Sequence, residues 1–150
     1  MQMKKRVVSA KSRQEPMDIK PYLTFNGNCR EAMTFYQACL GGELSFQTVG
    51  ESPLADLMPA RMKDCIVHAS LTSGNLVLLA SDLVSKGGLR KGNAVVMMLS
   101  CSTEEETRMC YAKLSEGGKQ SHALEHTFWG ALFGDLTDRY GNQWLLSSLV

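Results

Sequence analysis

A pattern that occurs twice constrains this chain more than any single motif. Pro21 to Phe25 (PYLTF) reads as a short strand, with Pro21 at its beginning, where a missing N–H is tolerated. A turn at Asn26-Gly27-Asn28 leads into a helix. Asn28 suits the N-cap, and Glu31 three residues on makes a capping-box-like pair. Ala32, Phe35, Tyr36, Cys39 and Leu40 fall on one face of that helix, and Gly41-Gly42 ends it. Leu44 to Val49 alternates as a strand, and Cys65 to Thr72 with Leu76 to Ser81 forms a hairpin across Ser73-Gly74-Asn75. After a link rich in Gly and Lys at 83–92 the order begins again. Ala94 to Ser100 is an apolar strand. Ser102 caps a second helix with Glu105 three residues later, and Glu104 to Glu106 suit the positive end of its dipole. Thr107, Cys110, Tyr111 and Leu114 share its buried face, and Gly117-Gly118 closes it. Three strands follow, near 119–125, 131–137 and 142–148.

The chain is thus βαβββ twice, offset by about 75 residues. This predicts an α+β fold: a single domain over 17–150, with module 1 at about 20–82, the link at 83–92 and module 2 at about 93–150. Each module buries its helix on one side of its sheet. The bare sheet faces then curl into a shared cup, the natural place for a ligand. The connection Gly50 to Asp64 holds Pro53, Leu57, Met58, Pro59 and Met62. It suits a surface loop with one helical turn, or the adaptable rim of a pocket.

Several function classes are disfavoured. A net charge of +1, with scattered basic residues and no aromatic interleaving, gives no nucleic-acid footprint. No run of 18 apolar residues is present to span a membrane. Five cysteines (29, 39, 65, 101 and 110) form no CxxC pair, and the expectation is reduced thiols in a cytoplasmic protein. Residues 1–16 carry Lys4, Lys5, Arg6, Lys11 and Arg13 against Glu15 alone. They read as a disordered basic tail, a transit peptide or a start assigned too early, since Met17 opens a convincing strand. Without them the body has eleven Lys and Arg against fourteen Asp and Glu, and is mildly acidic.

The stretch His126 to Trp144 holds both tryptophans and a tight turn at Asp138-Arg139-Tyr140-Gly141. Its rings must be covered by a core, a ligand or a second subunit. Trp129 is expected to line the pocket or the dimer seam, with Phe25, Ser81 and Trp144 as further ligand-binding residues. Alternation along Cys65 to Thr72 puts Val67, Ala69 and Leu71 under the helix and Ile66, His68 and Ser70 in the cup. His68 is a core histidine there, or a proton donor and acceptor working with Glu125 or Asp82 at the rim. His122 and His126 would share a face of a regular strand but lie about 13 Å apart, too far for one metal ion, with Glu125 on the opposite face.

In their order and spacing, PYLTFNGNCREAMTFY (21–36), LGGEL (40–44), IVHASL (66–71), ASD (80–82) and TFWG…FG…TDRYGNQW (127–144) resemble the vicinal oxygen chelate superfamily of glyoxalases, bleomycin-resistance proteins and extradiol dioxygenases. More narrowly, the chain is similar to its PhnB-like branch, often labelled 3-demethylubiquinone-9 3-methyltransferase-like. The resemblance implies paired βαβββ modules and a homodimer. In the superfamily, His and Glu on the first and fourth strands of each module hold a divalent ion. The matching positions here are Pro21, Leu79, Val95 or Val96, and Leu145, which cannot ligate through a side chain. No metal and no other cofactor is therefore expected. The methyltransferase label finds no Gly-rich loop between strand and helix to support it. Two readings follow: a small-molecule-binding protein acting by sequestration or sensing, or a lyase, isomerase or dioxygenase-type enzyme.

Overall fold

The computed structural model describes residues 16–148. The expected basic tail lies outside these except for Pro16. The described chain runs β1 (Tyr22–Thr24), α1 (Cys29–Leu40), β2 (Glu43–Thr48), β3 (Ile66–Ser73), β4 (Leu76–Ser81), β5 (Met97–Cys101), α2 (Glu104–Ser115), β6 (Lys119–His126), β7 (Leu132–Thr137) and β8 (Gln143–Ser148). This is the doubled βαβββ order expected. The two sheets share one topology, β1-β4-β3-β2 and β5-β8-β7-β6. In each, the first strand pairs parallel with the fourth, and the remaining pairs are antiparallel. They remain two separate four-stranded sheets and do not close on each other.

Four local expectations are corrected. No strand opens at Met17, which is exposed, and β5 begins three residues later than its apolar run suggested, leaving Val95 and Val96 exposed ahead of it. The cap of α2 is Thr103 rather than Ser102. Its hydroxyl accepts from Glu106 N, and Glu106 returns a carboxylate oxygen to Ser102 N. The connection between β2 and β3 holds three short 3-10 turns, Val49–Glu51, Pro53–Asp56 and Ala60–Met62, the first secured by a Thr48/Glu51 capping box.

One hydrophobic core runs beneath both helices. Tyr36 and Met33 on α1 and Tyr111 and Leu114 on α2 meet Ala69, Leu71 and Leu78 of one sheet and Leu136, Trp144 and Leu146 of the other. Two buried aspartates tie this core to the chain turns. Asp82, just past β4, accepts from Gly27 N and Cys29 N through Oδ1 (both 3.0 Å) and from Ile66 N through Oδ2 (2.8 Å). It therefore does the capping expected of Asn28, whose side chain makes no cap bond. An anion at an N-terminus is favoured both by the unpaired N–H groups and by the dipole. Asp82→Asn keeps one acceptor and loses the Ile66 bond. It is expected to cost about 1–3 kcal/mol in urea unfolding.

Asp138 is the second tie. Oδ1 accepts from Tyr140 N (2.8 Å) and Asn142 N (3.0 Å), closing the turn between β7 and β8. Oδ2 accepts from Trp144 Nε1 (2.8 Å) and from the Tyr36 hydroxyl on α1. Tyr140 donates to Glu31 (2.9 Å), and the Arg139 guanidinium lies 4.3 Å from the centre of the Phe35 ring. The TDRYGNQW segment is thus the seam joining module 2 to the helix of module 1.

Candidate functional site

Register defines which side chains leave each sheet on the face away from the helices, because directly paired residues share a face. In module 1, Tyr22, Leu79, Ser70 and Ser45 form one row, and Thr24, Ser81, His68 and Gln47 the next. His68 and Ser70 are therefore on the open face and Ala69 and Leu71 under the helix, as expected, whereas Ile66, expected in the cup, lies in the core beyond the register shift after Gln47. His68 is exposed; the Tyr22 hydroxyl lies 3.4 Å from its Nδ1, with the rings 6.0 Å apart. Ser81 is on the same row but buried, its hydroxyl accepting from Leu83 N.

The open face of module 2 is more deeply shaped. Strand β6 is irregular: Gln120 pairs with Leu136, His122 with Asp135, and Glu125 with Phe133. An extra residue thus sits on each side of His122. Each β-bulge reverses the alternation. His122 and Glu125 consequently share the open face with Asp135 and Phe133, while His126, paired with the buried Leu132, turns back to Glu104 at the start of α2 (2.9 Å). This corrects the regular-strand expectation, which put the two histidines together and Glu125 opposite.

The bulges are held from beneath. The Tyr111 hydroxyl lies 2.9 Å from His122 O and 3.0 Å from Asp135 O, so its single proton serves both carbonyls. Burial, and then the Asp135 charge, raise the Tyr111 hydroxyl above the ordinary tyrosine range, which keeps it a donor. On the outer side, His122 Nδ1 meets both Asp135 oxygens, at 3.0 and 3.1 Å. Beyond Glu125 the chain makes a tight loop in which Thr127 N donates to Ala131 O and Gly130 N to Thr127 O. That loop presents Phe128, 97% exposed, and Trp129, 50% exposed. Trp129 stands edge-on to Phe133 at 6.2 Å. These groups enclose an open hollow of about 610 Å³ lined wholly by residues from 121 to 135.

Of the expected site residues, Trp129 and Glu125 line this hollow, and Asp135 and the His122–Asp135 pair were missed. His68 lies on the other sheet, bonded to Tyr22, and is not among the residues that line it. Asp82 is a correction: its carboxylate is buried and engaged by three backbone donors, a structural arrangement rather than that of a rim acid. Phe25 and Trp144 are corrections too. They are 1% and 2% exposed and belong to the core, because Trp144 pairs with Met97 and Leu136 on the helix side of its sheet.

The donor set tests the superfamily metal. Open-face side chains on the first and fourth strands are Tyr22, Thr24, Leu79 and Ser81 in module 1, and Met98, Ser100, Leu145 and Ser147 in module 2. None is an imidazole or carboxylate, so a divalent ion of that type does not fit them. Among the described residues, no three His, Cys, Asp or Glu side chains are grouped closely enough to hold an ion elsewhere. All five cysteines are free; burial pushes the Cys29 thiol up to about 12, which suits an inert core thiol. No helix among the described residues is long and apolar enough to cross a membrane.

The doubled mixed sheet with a helix on each, and a ligand-sized hollow on a bare sheet face, define a class, and residues 19–146 match the model of the Glyoxalase/Bleomycin resistance protein/Dioxygenase superfamily. The chain belongs to that superfamily. Within it, the chain is 30% identical over 141 residues to protein YjdN of Escherichia coli K12, covering 87% of this chain and 95% of YjdN. The crystal structure of PA1353 from Pseudomonas aeruginosa aligns with a TM-score of 0.77 at 38% identity, over 89% of this chain and 98% of that one. The PhnB protein of Bacillus cereus shares the fold, with a TM-score of 0.68 at 24% identity over 89% and 100% of the two chains.

Proposed function

We propose that this protein binds a small, partly apolar molecule in the open hollow of module 2, without the superfamily metal, and acts by sequestration or sensing. One observation carries this reading: a hollow of about 610 Å³ in which the Trp129 and Phe133 rings stand beside the His122–Asp135 pair. Aromatic walls offer large apolar area with defined geometry, and the pair offers a fixed polar group. We further propose a homodimer, as the superfamily resemblance implies and as the exposed Val95, Val96 and Met98 at β5 support. A cytoplasmic setting accords with five unpaired cysteines. Native mass spectrometry of the purified protein tests the ligand, the absence of metal and the dimer at once, reporting dimer mass, bound metal and any co-purified molecule. Trp129→Ala is expected to weaken retention of such a molecule about tenfold or more. Retention unchanged by that variant, or a stoichiometric divalent ion, overturns the reading.

A second reading, a lyase or isomerase, gains from the same pair. A carboxylate on Nδ1 fixes the ring and leaves Nε2 to meet a ligand, the arrangement a general base needs. Glu125 then serves as its partner acid. His122, rather than His68, is the base in this version. A His122→Ala variant with full turnover on an identified substrate removes it.

A further inference from the structure

From the charge and ring content of the module 2 hollow we infer its ligand class: a compact organic cation, an amine or quaternary ammonium on an apolar or aromatic body. The inference rests on the binding reading above and narrows it. The hollow is lined by two carboxylates, Glu125 and Asp135, and by the rings of Phe128, Trp129 and Phe133, with no Lys or Arg among its lining residues. Its only other titratable lining groups are the imidazoles of His122, which meets Asp135, and His126, which meets Glu104, so the Glu125 carboxylate is the one left without a side-chain partner there.

Three features make the site selective rather than merely acidic. The bulges in β6 turn Glu125 onto the same face as Asp135, so both charges act on one space. The tight loop at 127–131 sets the Trp129 indole against Phe133, and both rings line that space. Ring faces attract a cation through their quadrupoles, the more so as water is excluded. An anion there meets two carboxylates and no Lys or Arg, which counts against it. Basic groups are gathered elsewhere: Arg90 and Lys91 line a separate hollow of about 230 Å³ with Tyr22 and Gln143, and that hollow has no Asp or Glu.

The test uses three probes of one body size: benzyltrimethylammonium, benzyl alcohol and benzoate. Each is titrated into the full-length protein while the indole N–H resonances are followed. Trp144 Nε1 is buried and bonded to Asp138, so its resonance is an internal control for Trp129. The expected result is that the cation moves the Trp129 resonance at the lowest concentration, benzyl alcohol less, and benzoate not at all. Glu125→Gln is expected to weaken the cation about 3- to 10-fold and leave benzyl alcohol unchanged. Asp135→Asn is expected to act the same way, and Glu125→Gln keeps the test open should that variant disturb the His122 bond. Benzyl alcohol or benzoate binding at Trp129 as tightly as the cation overturns the charge inference and leaves the small-molecule reading standing. So does a cation affinity that Glu125→Gln does not change. No movement of Trp129 with any probe at millimolar concentration overturns both.

Discussion

Asp138→Ala is expected to cost about 3–5 kcal/mol, more than half of the stability of a domain at the lower end of the usual range of about 5–15 kcal/mol. The reason is the number of donors that one carboxylate serves. Removing it strands Tyr140 N and Asn142 N in the turn, and Trp144 Nε1 and the Tyr36 hydroxyl in the core. Each buried donor left alone costs about 1–3 kcal/mol, and the turn can rewet only its outer pair. Asp138→Asn fares little better, because whichever way the amide is placed its NH2 faces donors. Urea unfolding gives the answer: a midpoint shift equivalent to less than about 1 kcal/mol would show that the seam is not what holds module 2 to α1. The same bond sets an alkaline limit. Burial, and then the Asp138 charge, raise the Tyr36 hydroxyl well above its ordinary 10.0. Burial and the bond to Glu31 push Tyr140 up to about 12. Both hydroxyls stay protonated in the folded chain after they would ionise in the unfolded one. Their contribution is therefore complete below about pH 10 and declines above it, each group shifting the folding equilibrium about tenfold per pH unit. Tyr36→Phe should flatten that decline.

The repeated order of strands and helices was legible because it depends on local chemistry: period-two and period-3.6 patterns, glycine pairs after both helices, and hydroxyl or acidic residues before the second. The turn at Asp138 was legible for the same reason. What it joins was not. Tyr36 and Asp138 are 102 residues apart, and nothing local to either announces the other. So the most distinctive stretch of the chain, whose rings a core, a ligand or a second subunit could cover, holds one ring in the core and presents the other outward. The site failed to appear for a sharper reason. Alternation assigns faces only while a strand stays regular, and β6 breaks twice around His122. Counting by twos from His122 sends Glu125 to the wrong side. One residue did carry the missing signal. Gly134 lies inside β7, and a glycine within a strand often marks a bulge or a close backbone approach. It sits opposite the second break.

Gly134→Val is therefore the substitution that should most disturb the hollow, at a cost of about 3 kcal/mol or more, with Gly134→Ala at about 1–3 kcal/mol. A Cβ at Gly134 would lie 2.9 Å from His122 O, 3.0 Å from Leu124 Cδ2 and 3.1 Å from Leu124 Cα. Two of these neighbours are backbone, so no side-chain rotation relieves the contact. Strand β6 is the edge of its sheet and has no strand outside it, so it is the element free to yield. As it moves away, the Tyr111 hydroxyl loses its hold on His122 O, and the His122 ring leaves the 3.0 Å bond to Asp135. Fold stability and hollow geometry should fail together, seen as a lower unfolding midpoint and a displaced Trp129 indole resonance in the same variant. Gly87→Ala is the matched control. Nothing lies within 4 Å of a Cβ built there, and its backbone is outside the left-handed region. It should change stability by no more than about 0.5 kcal/mol. If the two alanine variants behaved alike, the close approach of β6 to Gly134, and with it the bulge that brings Glu125 beside His122, would have to be abandoned.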